Sequence, residues 1–129
     1  FARFHPGGSL GRRLLRRVSD EMQTDKLPLV AASNDVLSVI NAMSQGGLGL
    51  AIVNSTEGMG VITDGDIRRA LEQHGQQVFG HSAQDLMSLN PATVPPDTRV
   101  EDALALMEQR QITRLVVVAD GELVGVFKK

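Results

Sequence analysis

The stretch VLSVINAM, residues 36–43, recurs in altered form as VEDALALM, residues 100–107. Both stretches begin with Val and end with Met, and both contain apolar residues spaced three or four positions apart. This spacing is typical of a helix with one buried face, so each stretch predicts an amphipathic helix. Because the same helix occurs twice, the chain is predicted to be an internal duplication of a unit that takes up about half of it.

The similarity continues on both sides of the two helices. Each helix follows a short approach that contains Met and then an extended stretch that contains proline. Each is followed by two apolar strands joined by a glycine-containing turn, a pattern typical of a β-hairpin. In the first unit a second helix is predicted to begin near Asp64 and to end near Gly75. The predicted strands are residues 50–53 and 60–62 in the first unit and residues 115–118 and 123–127 in the second.

Each unit is therefore predicted to be a β-α-β-β-α arrangement, which places the chain in the α/β (α+β) class. One such unit buries little apolar surface alone. We expect the two units to pack together with pseudo-twofold symmetry and with clefts between them, where small ligands often bind. The first domain is predicted at residues 18–75 and the second, truncated one at residues 84–129. The polar residues 76–83 are predicted to be a linker.

Side chains also mark the predicted starts of the two repeated helices. Thr98 and Glu101 have the spacing of a capping box, in which each side chain bonds the backbone N–H of the other residue. In the first unit Ser33 is predicted to cap the helix, and Val36, Ile40 and Met43 are expected on its inner face.

The composition limits the classes of function. The 129 residues carry a formal net charge of −2, aromatic residues make up 3%, and there is no cysteine. Such a chain has no general attraction for nucleic acid or anionic membranes and few rings on which bases could stack. The lack of cysteine excludes disulfides, thiol catalysis and cysteine-bound zinc, and no apolar run approaches the ~20 residues that span a membrane. We therefore expect a cytoplasmic protein without a nucleic-acid, membrane or metal partner.

The stretch GVITDGDIRR, residues 60–69, supports two interpretations. Thr63 and Asp66 have the capping-box spacing, which would make them only the start of a helix. The same atoms suit a ligand, because a helix N-terminus offers free N–H groups and partial positive charge to a phosphate, while a carboxylate can accept from both hydroxyls of a ribose. Gly65 would let the ligand approach the backbone, and Arg69 adds a guanidinium that suits phosphate.

On these residues the chain resembles a tandem pair of CBS domains, the Bateman module. The resemblance rests on the repeat and on Gly-Val-Ile-Thr-Asp-Gly-Asp at residues 60–66, and it extends from Val18 to the end of the chain. In that family a hydroxyl residue and an Asp three positions later commonly bind the phosphate and ribose of AMP, ATP or other nucleotides, and Thr63 and Asp66 match them. The second unit departs from the pattern, because Lys128 takes the hydroxyl position and the chain stops before a matching Asp.

A second resemblance concerns the start of the chain. HPGGSLGRR, residues 5–13, resembles the tail of the sugar-isomerase domain in bacterial arabinose-5-phosphate isomerases, which carry a CBS pair directly after that domain. This implies that residues 1–17 end such a domain and that His5 matches the family's active-site histidine. The family interconverts ribulose 5-phosphate and arabinose 5-phosphate for the synthesis of Kdo, the acidic sugar of lipopolysaccharide and some capsules. Without the rest of that domain, this chain alone is expected to be inactive as an isomerase.

Together the two resemblances imply a regulatory module that binds AMP, ATP or the pathway product CMP-Kdo and requires no cofactor. Asp66 would hold the ribose, Thr63 the phosphate, and Arg69 or Arg114 the acid of CMP-Kdo. The implied partners are the module's own isomerase domain and a second copy, as a homodimer within a tetrameric parent. Two alternatives stay open: a purely structural dimerisation module without a ligand, and a CBS pair from a transporter or a transcription regulator. The predicted ligand-binding residues are Thr63, Asp64, Gly65, Asp66, Arg69, Thr113 and Arg114.

Overall fold

The structure, a computed structural model, describes residues 15–129. This part of the chain forms two compact units: residues 26–91 make the first, and residues 15–25 with residues 92–129 make the second. The described helices are α1 (Val18–Glu21), α2 (Val36–Gly46), α3 (Asp64–His74), the 3-10 helix Gly75–Gly80, α4 (Ala83–Leu86) and α5 (Val100–Arg110). The described strands are β1 (Leu29–Ala31), β2 (Leu50–Ser55), β3 (Gly58–Thr63), β4 (Ser88–Leu89), β5 (Thr93–Val94), β6 (Arg114–Ala119) and β7 (Glu122–Lys128).

The first unit is built on a four-stranded sheet in the order β1-β2-β3-β4. Strand β1 runs parallel to β2, whereas the β2–β3 and β3–β4 pairs are antiparallel. Residues 50–53 of β2 are all buried, as expected for a short apolar run at the centre of a core. Helix α2 buries Val36, Val39 and Met43. Its predicted inner face is therefore confirmed except for Ile40, which is only half-buried.

The second unit is built on a three-stranded sheet in the order β5-β6-β7. Strand β6 is parallel to β5 and antiparallel to β7. Asp120 and Gly121 form the turn between β6 and β7, and their φ angles of 53° and 79° are those of a two-residue type I′ hairpin. The core contains Val100, Met107 and Phe127, each at most 1% exposed. The same β-α-β-β order thus occurs in both units, which confirms the predicted duplication and the mixed α+β class.

Each approach segment packs into the unit formed by the other repeat. Helix α1 precedes the first repeat in the chain, yet its fully buried Val18 belongs to the core of the second unit. The backbone of Gln23 exchanges two hydrogen bonds with Val126, at 2.9 and 3.0 Å. Gly125 lies beside this contact, where an added Cβ would be 2.8 Å from the Gln23 carbonyl oxygen. In the same way Ala83 of α4 is buried in the core of the first unit.

The prediction that Ser33 caps helix α2 is wrong. The N-cap is Asp35, whose carboxylate accepts a 2.9 Å hydrogen bond from the Ser38 N–H. Ser33 lies too early to reach the helix, because it forms part of a turn that follows β1. The bond from Ser38 lowers the pKa of the Asp35 carboxyl from its ordinary value, since it stabilises the charged form.

The capping box predicted for Thr98 and Glu101 is also wrong. The N-cap of α5 is Arg99, no side chain caps this helix, and Glu101 instead forms a 3.6 Å ion pair with Arg99. The N–H of Val100 donates to the carbonyl oxygen of Arg16 at 3.0 Å. A backbone group of the approach segment thus satisfies one of the free N–H groups at the helix start, which is the role of a side-chain cap elsewhere.

Residues 76–83 do not form the simple polar linker that was expected. Gly75–Gly80 form a 3-10 helix that lies against α2 and α3. Val78 of this helix is fully buried, whereas its neighbour Phe79 is 47% exposed. The buried Val78 side chain therefore anchors the segment to the first unit. Because most of the neighbouring residues are polar, the sequence pattern of this segment is the same as that of a linker.

Val78→Ala is expected to lower the free energy of unfolding by about 1.5–3 kcal/mol, because it deletes two buried carbon atoms and leaves a cavity. Phe79→Ala removes a larger but half-exposed side chain and is expected to cost clearly less. Urea unfolding followed by circular dichroism measures both variants. A larger loss for Phe79→Ala than for Val78→Ala would show that the two side chains are assigned to the wrong sides of the 3-10 helix.

Asp35→Asn is expected to make the stability of the chain less sensitive to acid. The lowered pKa of Asp35 contributes stability above the ordinary value of 3.8, and this stability is lost as the pH falls through the folded-state pKa. Asn caps a helix about as well as Asp but does not titrate. Urea unfolding between about pH 5 and pH 2 should give a shallower pH dependence for the variant. Parallel curves for the two proteins would contradict the assigned cap.

Candidate functional site

Strand β3 passes directly into helix α3, and Thr63 is the N-cap of that helix. Thr63 Oγ1 accepts a 3.2 Å hydrogen bond from the Asp66 N–H, and Asp66 Oδ2 accepts a 2.9 Å bond from the Thr63 N–H. The predicted capping box is thus confirmed. The Asp64 N–H donates to the Gly49 carbonyl oxygen at 3.3 Å, and Thr63 pairs with Leu50 of β2, so the sheet fixes the position of the helix start.

The second oxygen of the Asp66 carboxylate is engaged as well. Oδ1 accepts a 2.6 Å hydrogen bond from Nη2 of Arg69. The Asp66 side chain is 19% exposed and the Arg69 side chain 70%, so a largely covered carboxylate holds a guanidinium at the surface. The guanidinium also lies over Gly65, where an added Cβ would be 3.2 Å from Nη1. Four of the predicted site residues, Thr63, Gly65, Asp66 and Arg69, are therefore brought together.

Two cavities flank helix α3 within the first unit. The polar cavity, of about 200 Å³, is lined by Asp66 and Arg69 together with residues that follow α3. The apolar cavity, of about 560 Å³, lies between α2 and α3 and includes Asp64 and Arg68 at its rim of mostly apolar side chains. The start of α3 thus has open space beside it. Asp64 and Asp66, which the sequence places in one site, line different cavities.

The polar cavity also contains two histidines that the sequence pattern does not bring together. The rings of His74 and His81 have their centroids 4.5 Å apart and are tilted by 54°. His81 Nδ1 is buried and has no hydrogen-bond partner within the described part of the chain. Beside them, Asp85 Oδ2 accepts a 2.9 Å hydrogen bond from the Ser82 N–H, which lowers the pKa of the Asp85 carboxyl. The two histidines meet because the 3-10 helix turns the chain between them, and no short motif signals this.

Thr113 and Arg114 belong to the second unit. They lie at the beginning of β6, where the Arg114 guanidinium donates to Thr113 Oγ1. Arg114 pairs with Lys128 of β7, as Leu50 pairs with Thr63 in the first unit. The register confirms that Lys128 takes the place of the hydroxyl residue, so the second unit carries two cations at the strand ends where the first carries a helix cap.

His5 lies outside the described residues, so its role stays a prediction. Within residues 15–129, no group of three or more His, Asp or Glu side chains could hold a metal ion. In the same range, no helix has both the length and the apolar character that a membrane span needs. What the structure does bring together at the start of α3 is a carboxylate, a hydroxyl, the positive end of a helix dipole and a guanidinium, a combination that suits a sugar and a phosphate.

Known proteins resemble this chain over most of its length. The CBS domain family matches residues 18–73 and 83–129. A probable arabinose 5-phosphate isomerase of Haemophilus influenzae is 44% identical over 121 residues, which are 93% of this chain and 36% of that protein. The arabinose 5-phosphate isomerase KpsF of Escherichia coli O6:H1 is 43% identical over 91% of this chain and 36% of its own length. The chain thus spans about a third of the length of these relatives.

Solved structures share the fold. CBSX2 in complex with AMP has a TM-score of 0.72 at 28% identity, over 88% of this chain and 90% of that one. The hexameric CBS-CP12 protein from bloom-forming cyanobacteria has a TM-score of 0.77 at 21% identity, over 88% of this chain and 67% of that one. Two separate stretches match the same family model, and together they cover most of the sequence. The chain belongs to the CBS-domain family and is a tandem pair of these domains.

Proposed function

We propose that this chain is the regulatory, nucleotide-binding part of a cytoplasmic arabinose 5-phosphate isomerase, which interconverts ribulose 5-phosphate and arabinose 5-phosphate. The two relatives from Haemophilus influenzae and Escherichia coli support the parent activity, since both are named for it and match at 44% and 43% identity. The AMP complex of CBSX2, at 28% identity, supports a nucleotide as the ligand. The module's own isomerase domain would be its first partner, and the module alone would not catalyse the isomerisation.

The observation that carries this proposal is the Asp66 carboxylate at the start of α3. Thr63 and Arg69 each donate one hydrogen bond to it, one on each oxygen. A carboxylate has about four acceptor directions, so those left over can accept the two hydroxyls of a ribose. The Thr63 hydroxyl, which accepts from the Asp66 N–H, still has its own proton to donate to a phosphate. The partial positive charge of the helix N-terminus favours an anion at this place.

The proposed ligands are AMP, ATP and CMP-Kdo. All three bring a ribose and a phosphate to Asp66 and Thr63, and CMP-Kdo adds a carboxylate that Arg69 could pair with. CMP-Kdo is a product of the pathway to which the isomerase activity belongs. Its binding would therefore link the rate of the isomerase to the amount of sugar already activated.

Regulation would follow from a difference in ligand affinity between two states of the parent enzyme. A ligand shifts such an equilibrium only by the ratio of its affinities for the two states. By linkage, a sugar phosphate bound in the isomerase domain would change the affinity of the CBS pair for its nucleotide by the same factor, typically about 5–150-fold.

Asp66→Ala is expected to abolish ligand binding. The variant loses the ribose acceptor, and two charge-assisted hydrogen bonds account for roughly a hundredfold or more in affinity. It also breaks the capping box, so the free energy of unfolding should fall by about 1 kcal/mol. Isothermal titration calorimetry of the 129-residue chain with AMP, ATP, CMP and CMP-Kdo measures the binding, and thermal melting measures the fold.

Asp35→Ala is the matched control for this experiment. Asp35 caps α2 as Asp66 caps α3, but it lines neither the polar nor the apolar cavity. The control should lose stability and keep its ligand affinity within about twofold, because the Asp35 carboxylate bonds Ser38 of its own helix and not a residue that lines the polar cavity. The absence of heat with all four ligands, or unchanged affinity in Asp66→Ala, would contradict a nucleotide-binding function.

The apolar cavity favours a second function, homodimerisation of the CBS pair. Two leucines stay exposed on the helices that form its walls: Leu37 of α2 at 57% and Leu71 of α3 at 41%. Leu37 lies on the same face of α2 as Ile40, which lines the cavity together with Leu71. We propose that a second copy of the chain covers this face, as exposed apolar surface on a soluble protein commonly marks an interface.

Leu71→Glu is expected to convert this homodimer to a monomer, because it places a charge in the proposed interface. Leu89→Glu is the matched control, since Leu89 of β4 is also 41% exposed but lies outside the apolar cavity. Sedimentation velocity measures the mass of each variant. A monomeric wild-type chain, or equal effects of the two substitutions, would exclude this interface. A dimer that binds none of the four ligands would favour the purely structural alternative.

A further inference from the structure

Helix α3 holds a positive charge at the end where helices normally favour a negative one. Arg69 lies in the second turn, but its guanidinium reaches back over Gly65 and bonds Asp66 in the first turn. Basic side chains are favoured at the C-terminal end of a helix and disfavoured at the N-terminal end, because of the helix dipole. The 2.6 Å bond to Asp66 is the contact that offsets this cost.

The spacing of these residues lets the contact form. Asp66 and Arg69 are three positions apart and Gly65 and Arg69 four, so all three lie on one face of α3. Gly65 leaves the first turn without a side chain, and the guanidinium fills that space: an added Cβ would come within 3.2 Å of Nη1. The Arg69 side chain, at 70% exposure, is free to leave toward solvent or toward a ligand.

The same contact occupies one of the acceptor directions of Asp66 that a ribose could use. Asp66 Oδ2 is committed to the capping box by the Thr63 N–H, so Oδ1 is the oxygen that faces away from the cap. That oxygen accepts the hydrogen bond from Arg69 Nη2. A ribose that approaches Asp66 therefore meets a carboxylate whose Oδ1, the oxygen outside the capping box, already has a charged partner.

We infer that Arg69 is a competitor built into the site, which releases Asp66 to a ligand that offers the guanidinium a phosphate in exchange. The inference rests on the proposed function and adds a rule of specificity to it. When a nucleotide binds, its phosphate replaces the Asp66 carboxylate as the anionic partner of Arg69, so the exchange costs little binding free energy. A nucleoside breaks the Arg69–Asp66 pair without replacing it. Arg69 thus makes the site select for nucleotides over nucleosides by two separate effects, attraction of the phosphate and exclusion of the neutral ribose.

Arg69→Met tests both effects at once, because Met keeps an unbranched chain and removes the charge. Calorimetry of the full chain uses AMP against adenosine and CMP against cytidine. In the variant the nucleotide should bind about tenfold more weakly or worse, through loss of a charge-assisted bond to phosphate. The nucleoside should bind about two- to fivefold more tightly, the factor that an exposed ion pair contributes. A residue that merely contacts the ligand would not improve nucleoside binding when removed.

Arg68→Met is the matched control, since Arg68 is the neighbouring arginine and lines the apolar cavity instead. It should leave the ratio of nucleotide to nucleoside affinity unchanged. Raising the ionic strength from about 0.05 M to 0.5 M gives a second readout without mutation: it screens the exposed pair, so nucleoside affinity of the wild-type chain should rise while nucleotide affinity falls.

The outcomes separate the inference from the proposed function. If nucleotides bind the wild-type chain and nucleoside affinity is unchanged or lower in Arg69→Met, Arg69 is not a competitor and the inference alone fails. If AMP, ATP, CMP, CMP-Kdo and both nucleosides all fail to bind the wild-type chain, the proposed function fails and the inference fails with it. Melting curves of Arg69→Met and Arg68→Met, expected to coincide with the wild type, establish that a changed affinity does not reflect a changed fold.

Discussion

Burial of one short apolar strand determines the architecture of each compact unit. In the first unit residues 50–53 of β2 are at most 4% exposed, and in the second unit residues 115–117 of β6 are at most 2% exposed. A strand buried on both faces needs neighbours on both edges and cover on both sides. The parallel strand before α2 or α5 and the antiparallel partner of the hairpin supply the edges, and α2 or α5 covers one face of the strand. The residues of the candidate site lie where these elements end.

At the start of α3, the contacts that cap the helix leave hydrogen-bonding capacity that the proposed recognition of a nucleotide would use. Thr63 sits at the end of β3, paired with Leu50, and its hydroxyl and the Asp66 carboxylate satisfy N–H groups that the helix would otherwise leave free. The cap uses only part of the hydrogen-bonding capacity of these two side chains. The unused acceptor directions of Asp66 and the hydroxyl proton of Thr63 lie at the N-terminal end of the helix, which carries partial positive charge. A capping box and a sugar-phosphate site are therefore compatible uses of the same atoms.

Local patterns in the sequence predicted local structure well. The apolar spacing of residues 36–43 and 100–107 identified both helices and most of their buried faces, and the Thr63–Asp66 spacing identified a real capping box. Thr98 and Glu101 have the same capping-box spacing, but at this helix start the Val100 N–H donates to the carbonyl oxygen of Arg16 instead. The same short pattern thus succeeds or fails according to whether a distant segment competes for the free N–H groups.

Most of the features that the sequence could not predict depend on contacts between segments that are separated in the chain. Val18 packs into the core of the second unit and Ala83 into the core of the first. The internal repeat in the sequence does not indicate which of the two units an approach segment joins. His74 and His81 meet only because a 3-10 helix replaces the expected linker. Asp64 and Asp66, two positions apart, are separated because adjacent helical positions point in different directions around the axis.

The two repeats have diverged where their chemistry would matter most. At matching positions of the hairpin, the first unit has Leu50 opposite Thr63 and the second has Arg114 opposite Lys128. Like charges placed directly across a strand pair repel each other. The first unit retains an acceptor and a hydroxyl at a helix start, and the second retains cations. The proposed ligand would therefore find the acceptor for its ribose and the hydroxyl for its phosphate within the first unit.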